Sequence, residues 1–129
     1  MLVVDASAAL WVCGHSHGFD RLGEDLVAPH LMWSEAAAAL RAWAYRGAVS
    51  DEVALDHLDR VESSPIARRD HPDLRREAWR IAKGFGWKRT YDAEYVALAM
   101  LLDARVVTAD GRLRRGTDRL RLVIGVDEV

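Results

Sequence analysis

The sequence predicts an α/β domain whose central, mostly parallel sheet lies between layers of helices. Short runs of aliphatic and β-branched residues at 2–4, 106–108 and 122–124 are separated by longer stretches with the three- and four-residue apolar spacing of helices. Strands that alternate with helices are typical of a parallel sheet. The chain has 129 residues, 50% of them hydrophobic, so we expect residues 1–129 to form one compact domain.

The first predicted elements are a strand, a helix and a loop. Residues 2–5 are short and apolar, as in a buried central strand, and the helix formers of 6–12 predict a helix directly after it. Glycine, serine and histidine over 14–18 predict a loop, and a short helix is predicted at 20–24. The apolar run 26–28 then predicts a strand that the following proline stops.

The middle of the chain predicts two helices and a weak strand. Over 31–45 apolar residues recur at helical spacing, and Gly47 is the expected end of that helix. Ser50 predicts the cap of the next helix, because its hydroxyl suits unpaired backbone N–H groups. Residues 65–67 weakly predict a third strand.

Residues 65–129 continue the alternation of strands and helices. Their predicted elements are a helix over 72–83, a helix over 90–103, a strand over 106–108, a turn or short helix over 110–115 and a strand over 122–124. Pro72 suits the first turn of its helix, whereas Gly84 and Gly86 are expected to end it. Thr90 is the predicted cap of the following helix.

Charge and cysteine content bear on partners and location. The formal net charge is -2, but residues 1–64 carry 4 basic and 10 acidic side chains, whereas residues 65–129 carry 14 basic and 10 acidic ones. The second half therefore predicts a surface that faces an anion, although solvated helix faces explain the same arginines. Cys13 is alone, no signal peptide is visible, and no apolar run approaches the about 20 residues of a membrane helix. We expect a soluble cytoplasmic protein.

Four acidic residues stand where a strand or turn gives way to a helix. Asp5 closes the first strand, and Asp110 follows the strand 106–108. Glu35 and Asp92 lie near the starts of two helices. The carboxyl ends of adjacent parallel strands lie side by side, and ligands bind in the crevice outside them, so we expect the four acids to converge. Clustered carboxylates repel one another unless a cation intervenes, which predicts a Mg²⁺ or Mn²⁺ site suited to phosphate chemistry.

Each acid taken singly also has a structural explanation. Asp5 fits a helix cap, and Asp110 fits a turn in which Thr108 offers a hydroxyl to orient a carboxylate or water. Glu35 borders the apolar face of its helix, where it either reaches water or is bound. Asp92 lies in a first turn, which favours acids, and its competitor Glu94 points about 200° away around the helix. Asp92 and Glu94 therefore cannot both face the same pocket.

The segments that carry the acids resemble the PIN domain family, and specifically the VapC-type toxins of bacterial toxin–antitoxin pairs. The matching segments are 3–8 (VVDASA), 28–35 (Ala-Pro leading to the glutamate), 90–99 (TYDAEYVALA) and 107–113 (VTADGRL). The resemblance implies a three-layer α/β/α sandwich, an acidic pocket for Mg²⁺ or Mn²⁺ and ribonuclease activity. It also implies a homodimer, a small antitoxin as inhibitor and hence a toxin–antitoxin hetero-oligomer. By residue match, the family's acidic positions are Asp5, Glu35, Asp92 and Asp110.

The predicted reaction is metal-dependent hydrolysis of an RNA phosphodiester. Asp5 and Asp92 are the first choices for direct ligands. Glu35 and Asp110 are expected to bind directly, through water or at a second ion. Because water rather than the ribose hydroxyl attacks, the cut should leave a phosphate and a free hydroxyl.

Basic and aromatic residues are candidates for contact with RNA. Arg112, Arg114 and Arg115 follow the last acid and are predicted to hold backbone phosphates, with an ion-paired, solvated tail as the alternative. Most of the five tryptophans are expected in the core or at an interface. Residues 15–23 match nothing in the family, so substrate choice stays open there.

Other α/β classes fit the sequence less well. A phosphatase with an aspartyl nucleophile needs a second aspartate where Ser7 stands, and a dinucleotide binder needs a glycine-rich turn after its first strand. A phosphoacceptor domain needs an acidic pair at that strand end. The alternative that stays open is a catalytically silent RNA- or protein-binding module on the same scaffold.

Overall fold

The computed structural model describes residues 1–15, 17–23 and 25–129. They contain one five-stranded sheet, formed by β1 (Leu2–Val4), β2 (Leu26–Ala28), β3 (Ala67–Arg68), β4 (Arg105–Thr108) and β5 (Val123–Gly125). The spatial order is β3-β2-β1-β4-β5, and every neighbouring pair is parallel. The predicted α/β class is confirmed, and β1 is the central strand that its apolar sequence predicts.

Helices flank this sheet. They are α1 (Ala6–Cys13), α2 (Leu31–Tyr45), α3 (Asp51–Glu62), α4 (Leu74–Phe85), α5 (Tyr91–Leu102) and α6 (Gly111–Gly116), with 3₁₀ turns at Gly18–Leu22, Asp118–Leu120 and Val126–Glu128. α1 packs against α2 and α3, and α4 packs against α5, which also contacts β1 and β4. Within the described part of the chain, no helix has both the length and the apolar character to cross a membrane.

The order of the strands reverses beside β1. The chain moves outward from β1 to β2 and β3, and then returns to β4 on the other side of β1. A switch point of this kind opens a crevice outside the carboxyl ends of the two strands. Asp5 follows β1 at this point, and its backbone N–H donates to the Val107 carbonyl of β4 at 3.2 Å. The topology thus places the ends of β1 and β4 side by side.

Buried aliphatic side chains hold the two strands below the crevice. Val3, Val4, Val106 and Val107 are each 0% exposed, and Leu98 of α5 packs into the same cluster. Full burial of an aliphatic side chain contributes about 1.5–3 kcal/mol. The residues that follow these strands therefore start from a fixed backbone.

Several element boundaries differ from the prediction. β3 begins at the last residue of the predicted 65–67 strand and is exposed at the edge of the sheet, where packing gives little sequence signal. α4 begins after Pro72, continues through Gly84 and ends at Phe85, with Gly86 as its C-cap. Gly86 has a φ of 72°, a left-handed conformation that glycine adopts without steric cost.

The segment between α1 and β2 is only partly comparable with its prediction. The short helix predicted at 20–24 is observed as the 3₁₀ turn Gly18–Leu22. Ser16 of the predicted loop and Glu24 of the predicted helix lie outside the described residues.

Candidate active site

The four predicted acids line one cleft of about 470 Å³ at the carboxyl ends of β1 and β4, which we call the acid cleft. They come from four separate segments, namely the end of β1 (Asp5), α2 (Glu35), the first turn of α5 (Asp92) and the residue before α6 (Asp110). The remaining wall is made of hydroxyl-bearing and apolar residues, which are Ala6, Ser7, Leu10, Trp11, Ala39, Trp43, Tyr95 and Ala109. The structure therefore brings together acids that are far apart in the sequence.

Asp5 is the most buried of the four acids, with 5% of its surface exposed. Its Oδ1 accepts hydrogen bonds from the Ala8 backbone N–H and the Ser7 hydroxyl, each at 2.8 Å. Its Oδ2 accepts from the Thr108 hydroxyl, so Thr108 does orient a carboxylate. The bond from Ala8 caps α1, and Asp5 is therefore a helix cap and a cleft residue at once.

Two hydroxyl groups connect the end of β1 with the end of β4. The oxygens of Ser7 and Thr108 lie 3.1 Å apart. Ser7 Oγ accepts from the Ala109 N–H and Thr108 Oγ1 accepts from the Asp110 N–H, both at 3.0 Å. One hydrogen-bond network thus fixes the Asp5 carboxylate and the backbone of Asp110 relative to each other.

Burial raises the pKa of Asp5 from 3.8 to about 6, because the ionised carboxylate loses its hydration. Hydrogen bonds from Thr108, Ala8 and Ser7 oppose this increase, since they favour the ionised form. The negative charge of Asp92 adds to it. Desolvation therefore outweighs the donated hydrogen bonds, so Asp5 binds a proton or a cation more favourably than an exposed aspartate does.

Glu35 faces the acid cleft from α2 and accepts a hydrogen bond from the Tyr95 hydroxyl. Loss of hydration raises the pKa of Glu35, the bond from Tyr95 lowers it, and the charges of Asp92, Asp5 and Glu94 raise it. Tyr95 is 1% exposed, and burial together with the Glu35 charge raises the pKa of its phenol. The phenol therefore keeps its proton and acts as a fixed donor to Glu35.

Asp92 lies at the exposed rim of the cleft, in the first turn of α5. Partial loss of hydration raises the pKa of Asp92, the nearby Asp110 charge raises it further, and Arg112 lowers it. Glu94 is not among the residues that line the acid cleft. α5 thus presents Asp92 to the cleft rather than Glu94, in keeping with the prediction that only one of the two can face the pocket.

Asp110 caps α6 with one of its two carboxylate oxygens. Oδ1 accepts from the backbone N–H groups of Arg112 at 2.9 Å and Leu113 at 3.3 Å. Oδ2 lies 3.8 Å from the guanidinium of Arg112, whose side chain is 87% exposed. An ion pair of this length at an exposed side chain contributes little, so Oδ2 remains free to accept another partner.

The donor set fits a hard divalent cation held mostly by water. All four side chains are carboxylates, and desolvation raises the pKa of three of them. Among the described residues, no three His, Cys, Asp or Glu side chains are close enough to enclose a metal ion by themselves. Mg²⁺ keeps several waters and commonly takes only one or two protein carboxylates. A loosely spaced set of acids therefore suits this ion.

A second cleft of about 600 Å³ adjoins the acid cleft and shares three of its acids. Lys88, Arg89 and Arg112 line its mouth. Of the three arginines predicted to bind RNA, only Arg112 lies there. Arg114 instead bonds carboxylates of the last helical turns at 2.7 and 2.8 Å, and Arg115 is exposed outside both clefts.

Two site residues were missed by the sequence analysis, Ser7 and Tyr95. Ser7 stands two residues after Asp5, a spacing at which a hydroxyl commonly bonds the neighbouring acid. Tyr95 lies in the predicted helix over 90–103, three residues after Asp92, but was given no role there. A buried tyrosine needs a partner for its hydroxyl, and its position one turn after Asp92 points that hydroxyl towards the acids.

The tryptophans divide between core, cleft and surface. Trp33 is buried, and Trp11 and Trp43 form an apolar wall of the acid cleft. Trp87 is half-buried in the second cleft. Trp79, at 70% exposed, is not a core residue.

Comparison with known proteins gives a consistent result. The profile of the PIN domain family matches residues 2–118. VapC ribonuclease Mb0985 of Mycobacterium bovis is 39% identical over 118 residues, which cover 88% of this chain and 88% of that protein. Ribonuclease VapC9 of Mycobacterium tuberculosis has the same identity and coverage. The crystal structure of PAE2754 from Pyrobaculum aerophilum aligns with a TM-score of 0.79 and 32% identity, over 98% of this chain and 90% of that one.

Proposed function

This chain belongs to the PIN domain family, within its VapC-type ribonucleases, and we propose that it is an endoribonuclease that hydrolyses RNA phosphodiester bonds with bound Mg²⁺ or Mn²⁺. The observation that carries this proposal is the single cleft lined by Asp5, Glu35, Asp92 and Asp110 at the switch point of the sheet. Burial and mutual repulsion disfavour the ionised form of three of these groups, and a divalent cation relieves both effects.

Each acid has a proposed role towards the cation. Asp5 and Asp92 are direct ligands, while Glu35 and Asp110 bind directly, through water or at a second ion. When bound, the cation supplies a water of lowered pKa and stabilises negative charge on the phosphoryl group and the leaving oxygen.

The surrounding side chains hold these oxygens in place before the RNA arrives. Ser7 and Thr108 fix the Asp5 carboxylate, and Tyr95 fixes that of Glu35. Arg112 lies at the mouth of the second cleft, where it can hold a backbone phosphate beside the acids. Arg115 contributes positive charge outside the two clefts, whereas the charge of Arg114 is paired with Asp118 and Glu128. Because water attacks, the products carry a phosphate and a free hydroxyl, and cyclic phosphate ends on the cut RNA would contradict this route.

The decisive experiment is a cleavage assay on structured RNA with Mg²⁺, Mn²⁺ or a chelator, comparing the wild type with Asp92→Asn and Glu94→Gln. Both substitutions remove one acidic charge from the start of α5, but only Asp92 lines the acid cleft. We expect the chelator and Asp92→Asn each to lower cleavage by about 100-fold or more, because loss of an outer partner of a metal ligand already costs about 10–100-fold. Glu94→Gln should cleave nearly as fast as the wild type.

Two outcomes of this assay would contradict the proposal. Equal cleavage by Asp92→Asn and wild type would identify a contaminating nuclease. RNA binding by the wild type without cleavage in any metal would favour the alternative, a catalytically silent RNA- or protein-binding module on the same scaffold.

We propose further that the ribonuclease acts as the toxin of a toxin–antitoxin pair. Its inhibitor is then a small cognate antitoxin protein, and the active unit is a homodimer that forms a hetero-oligomer with the antitoxin. Residues 1–129 act as one nuclease unit, which is supported by the single sheet and the shared core. The lone buried thiol of Cys13 and the RNA substrate fit the reducing cytoplasm as the place of action.

A further inference from the structure

Adjoining clefts lead from the acid cleft along α4. The second cleft shares three acids with the acid cleft. A third cleft of about 310 Å³ shares Trp87 and Lys88 with the second, and a fourth of about 460 Å³ shares Trp79 with the third. Because successive clefts share wall residues, the four adjoin one another in a series, which we call the α4 path.

The α4 path is lined by cations. They are Lys88, Arg89 and Arg112 in the second cleft, Lys83 and Lys88 in the third, and Arg75 and Arg76 in the fourth. All six are exposed. Within the described part of the chain only Arg75 and Arg112 among them make ion pairs, at 3.3 and 3.8 Å. No acid lines the third and fourth clefts, so these two clefts carry positive charge that ion pairs of the described residues leave largely uncompensated.

Two indole rings stand between these cations. Trp79 is 70% exposed and lines both the third and the fourth cleft. Trp87 lines the second and third clefts, and its ring stacks on Phe85 with centroids 4.8 Å apart and planes at 16°. Trp79 thus leaves most of its ring open to a ligand, whereas Trp87 has Phe85 on one side. An exposed indole among cations suits an unpaired nucleotide, because its base stacks on an aromatic ring and its phosphate binds Lys and Arg.

We propose that an unpaired stretch of the substrate RNA lies along the α4 path, with a base stacked on Trp79 and backbone phosphates on Arg76, Lys83 and Lys88. This inference rests on the proposed ribonuclease function and specifies where the strand runs outside the acid cleft. RNA is favoured over a protein partner because the path combines exposed positive charge with a position next to the acids that cut. A single strand is favoured over a duplex because a paired base has no face open to the indole.

The test measures RNA binding in the Asp92→Asn background, in which the strand is held but not cut. Fluorescent single-stranded RNAs of about 2 and about 10 nucleotides are compared, since single-strand sites commonly span about 4–16 nucleotides. Trp79→Ala is expected to weaken binding of the longer RNA about tenfold and to leave the dinucleotide unchanged, because only the longer strand reaches the indole. Trp79→Phe keeps a stacking face and should retain most of the affinity. Lys83→Ala should reduce the slope of log affinity against log salt by about 0.7.

Matched controls come from elsewhere on the surface. Tyr45→Ala removes an aromatic ring that is 81% exposed on α2, away from the path. Arg80→Ala removes a cation of α4 that pairs with Glu77 at 2.7 Å and lines none of the four clefts. Both should bind the two RNAs as the parent does.

The proposal that RNA lies along the α4 path would be wrong if Trp79→Ala bound the longer RNA as tightly as its parent. It would also be overturned if sedimentation showed that the loss of affinity accompanies a change of oligomeric state, because the face would then contact protein. Cleavage by the wild type is measured separately. If the wild type binds RNA through Trp79 but does not cleave it, the proposed nuclease function is wrong and the proposed RNA path stands. If the wild type cleaves RNA but binds it independently of Trp79, the proposed path is wrong and the nuclease function stands.

Discussion

Asp5 combines a structural and a chemical role in one side chain. Its Oδ1 caps α1 through Ala8, and its Oδ2 is held by Thr108 at the end of β4. Helix capping does not require burial of the aspartate, yet Asp5 is 5% exposed and burial raises its pKa to about 6. Folding thus places a carboxylate where it is less stable than in water, which is common at sites that bind a charged ligand.

Asp5→Asn is expected to stabilise the metal-free protein at neutral pH by about 1–3 kcal/mol, since each unit of pKa shift corresponds to about 1.4 kcal/mol. Between the ordinary value of 3.8 and the folded value of about 6, the folded state binds more protons than the unfolded state. The contribution of Asp5 to the free energy of unfolding therefore falls as pH rises through this window and is lowest above it. Urea unfolding in the presence of a chelator at several pH values measures the difference in free energy of unfolding between Asp5→Asn and the wild type. This difference should shrink as pH falls below about 6. A variant less stable than wild type at neutral pH would mean that the hydrogen bonds of the carboxylate outweigh its desolvation.

Tyr95→Phe tests the donor that sequence analysis missed. Phenylalanine fills the same buried space, but Glu35 loses a hydrogen bond that lowers its pKa, so that pKa should rise. Since a metal must displace the proton, Mn²⁺ affinity at neutral pH should fall about tenfold, and the loss should shrink as pH increases. Titration calorimetry measures this, with Tyr45→Phe on the exposed end of α2 as control. If the Mn²⁺ affinity of Tyr95→Phe equals that of the wild type at all pH values, Tyr95 does not contribute to metal binding.

At the scale of elements, helix caps show where local sequence is informative and where it is not. Ser50 and Thr90 were both predicted as caps, but only Ser50 accepts a bond, from the Val53 N–H at 3.1 Å. Its ψ of 159° is the extended conformation that turns a cap oxygen towards the helix, whereas Thr90 has ψ of 0° and makes no side-chain cap bond. Backbone geometry before the helix decides the outcome, and residue type does not encode it.

Ser50→Ala should therefore lower the free energy of unfolding by about 1 kcal/mol, while Thr90→Ala should change it by less than about 0.5 kcal/mol. The two substitutions are matched in position at the start of a helix and differ in the hydrogen bond lost. Thermal unfolding of both variants gives the comparison. Equal losses would mean that Thr90 caps α5 in solution.

The central strands and long helices could be predicted because their apolar spacing follows burial. Prediction was weakest where burial is weak. β3 is exposed at the sheet edge, so its sequence has little strand character. Gly84 continues α4 although glycine is a poor helix former, because the chain turns only at Gly86, where φ is 72°.

At the scale of the molecule, the order of strands determines what the sequence can reveal about the site. A parallel sheet with a switch point brings strand ends together, so the convergence of Asp5 and Asp110 follows from the fold class alone. The bond between Tyr95 and Glu35 depends on how α5 lies beside α2, which no local pattern encodes. The same holds for Arg114, whose pairing with the last turns of the chain removes it from the clefts.

Cation binding at the switch point should stabilise the whole fold, because the acids it joins belong to the ends of β1 and β4 and to α2 and α5. A ligand that binds only the folded state adds about 2.7 kcal/mol at 100 times its Kd. The melting temperature of the wild type should thus rise with Mg²⁺ or Mn²⁺ and fall on chelation. Asp92→Asn should lose most of this response, whereas Glu94→Gln, outside the acid cleft, should keep it. Equal responses in the wild type and Asp92→Asn would place the cation elsewhere on the molecule.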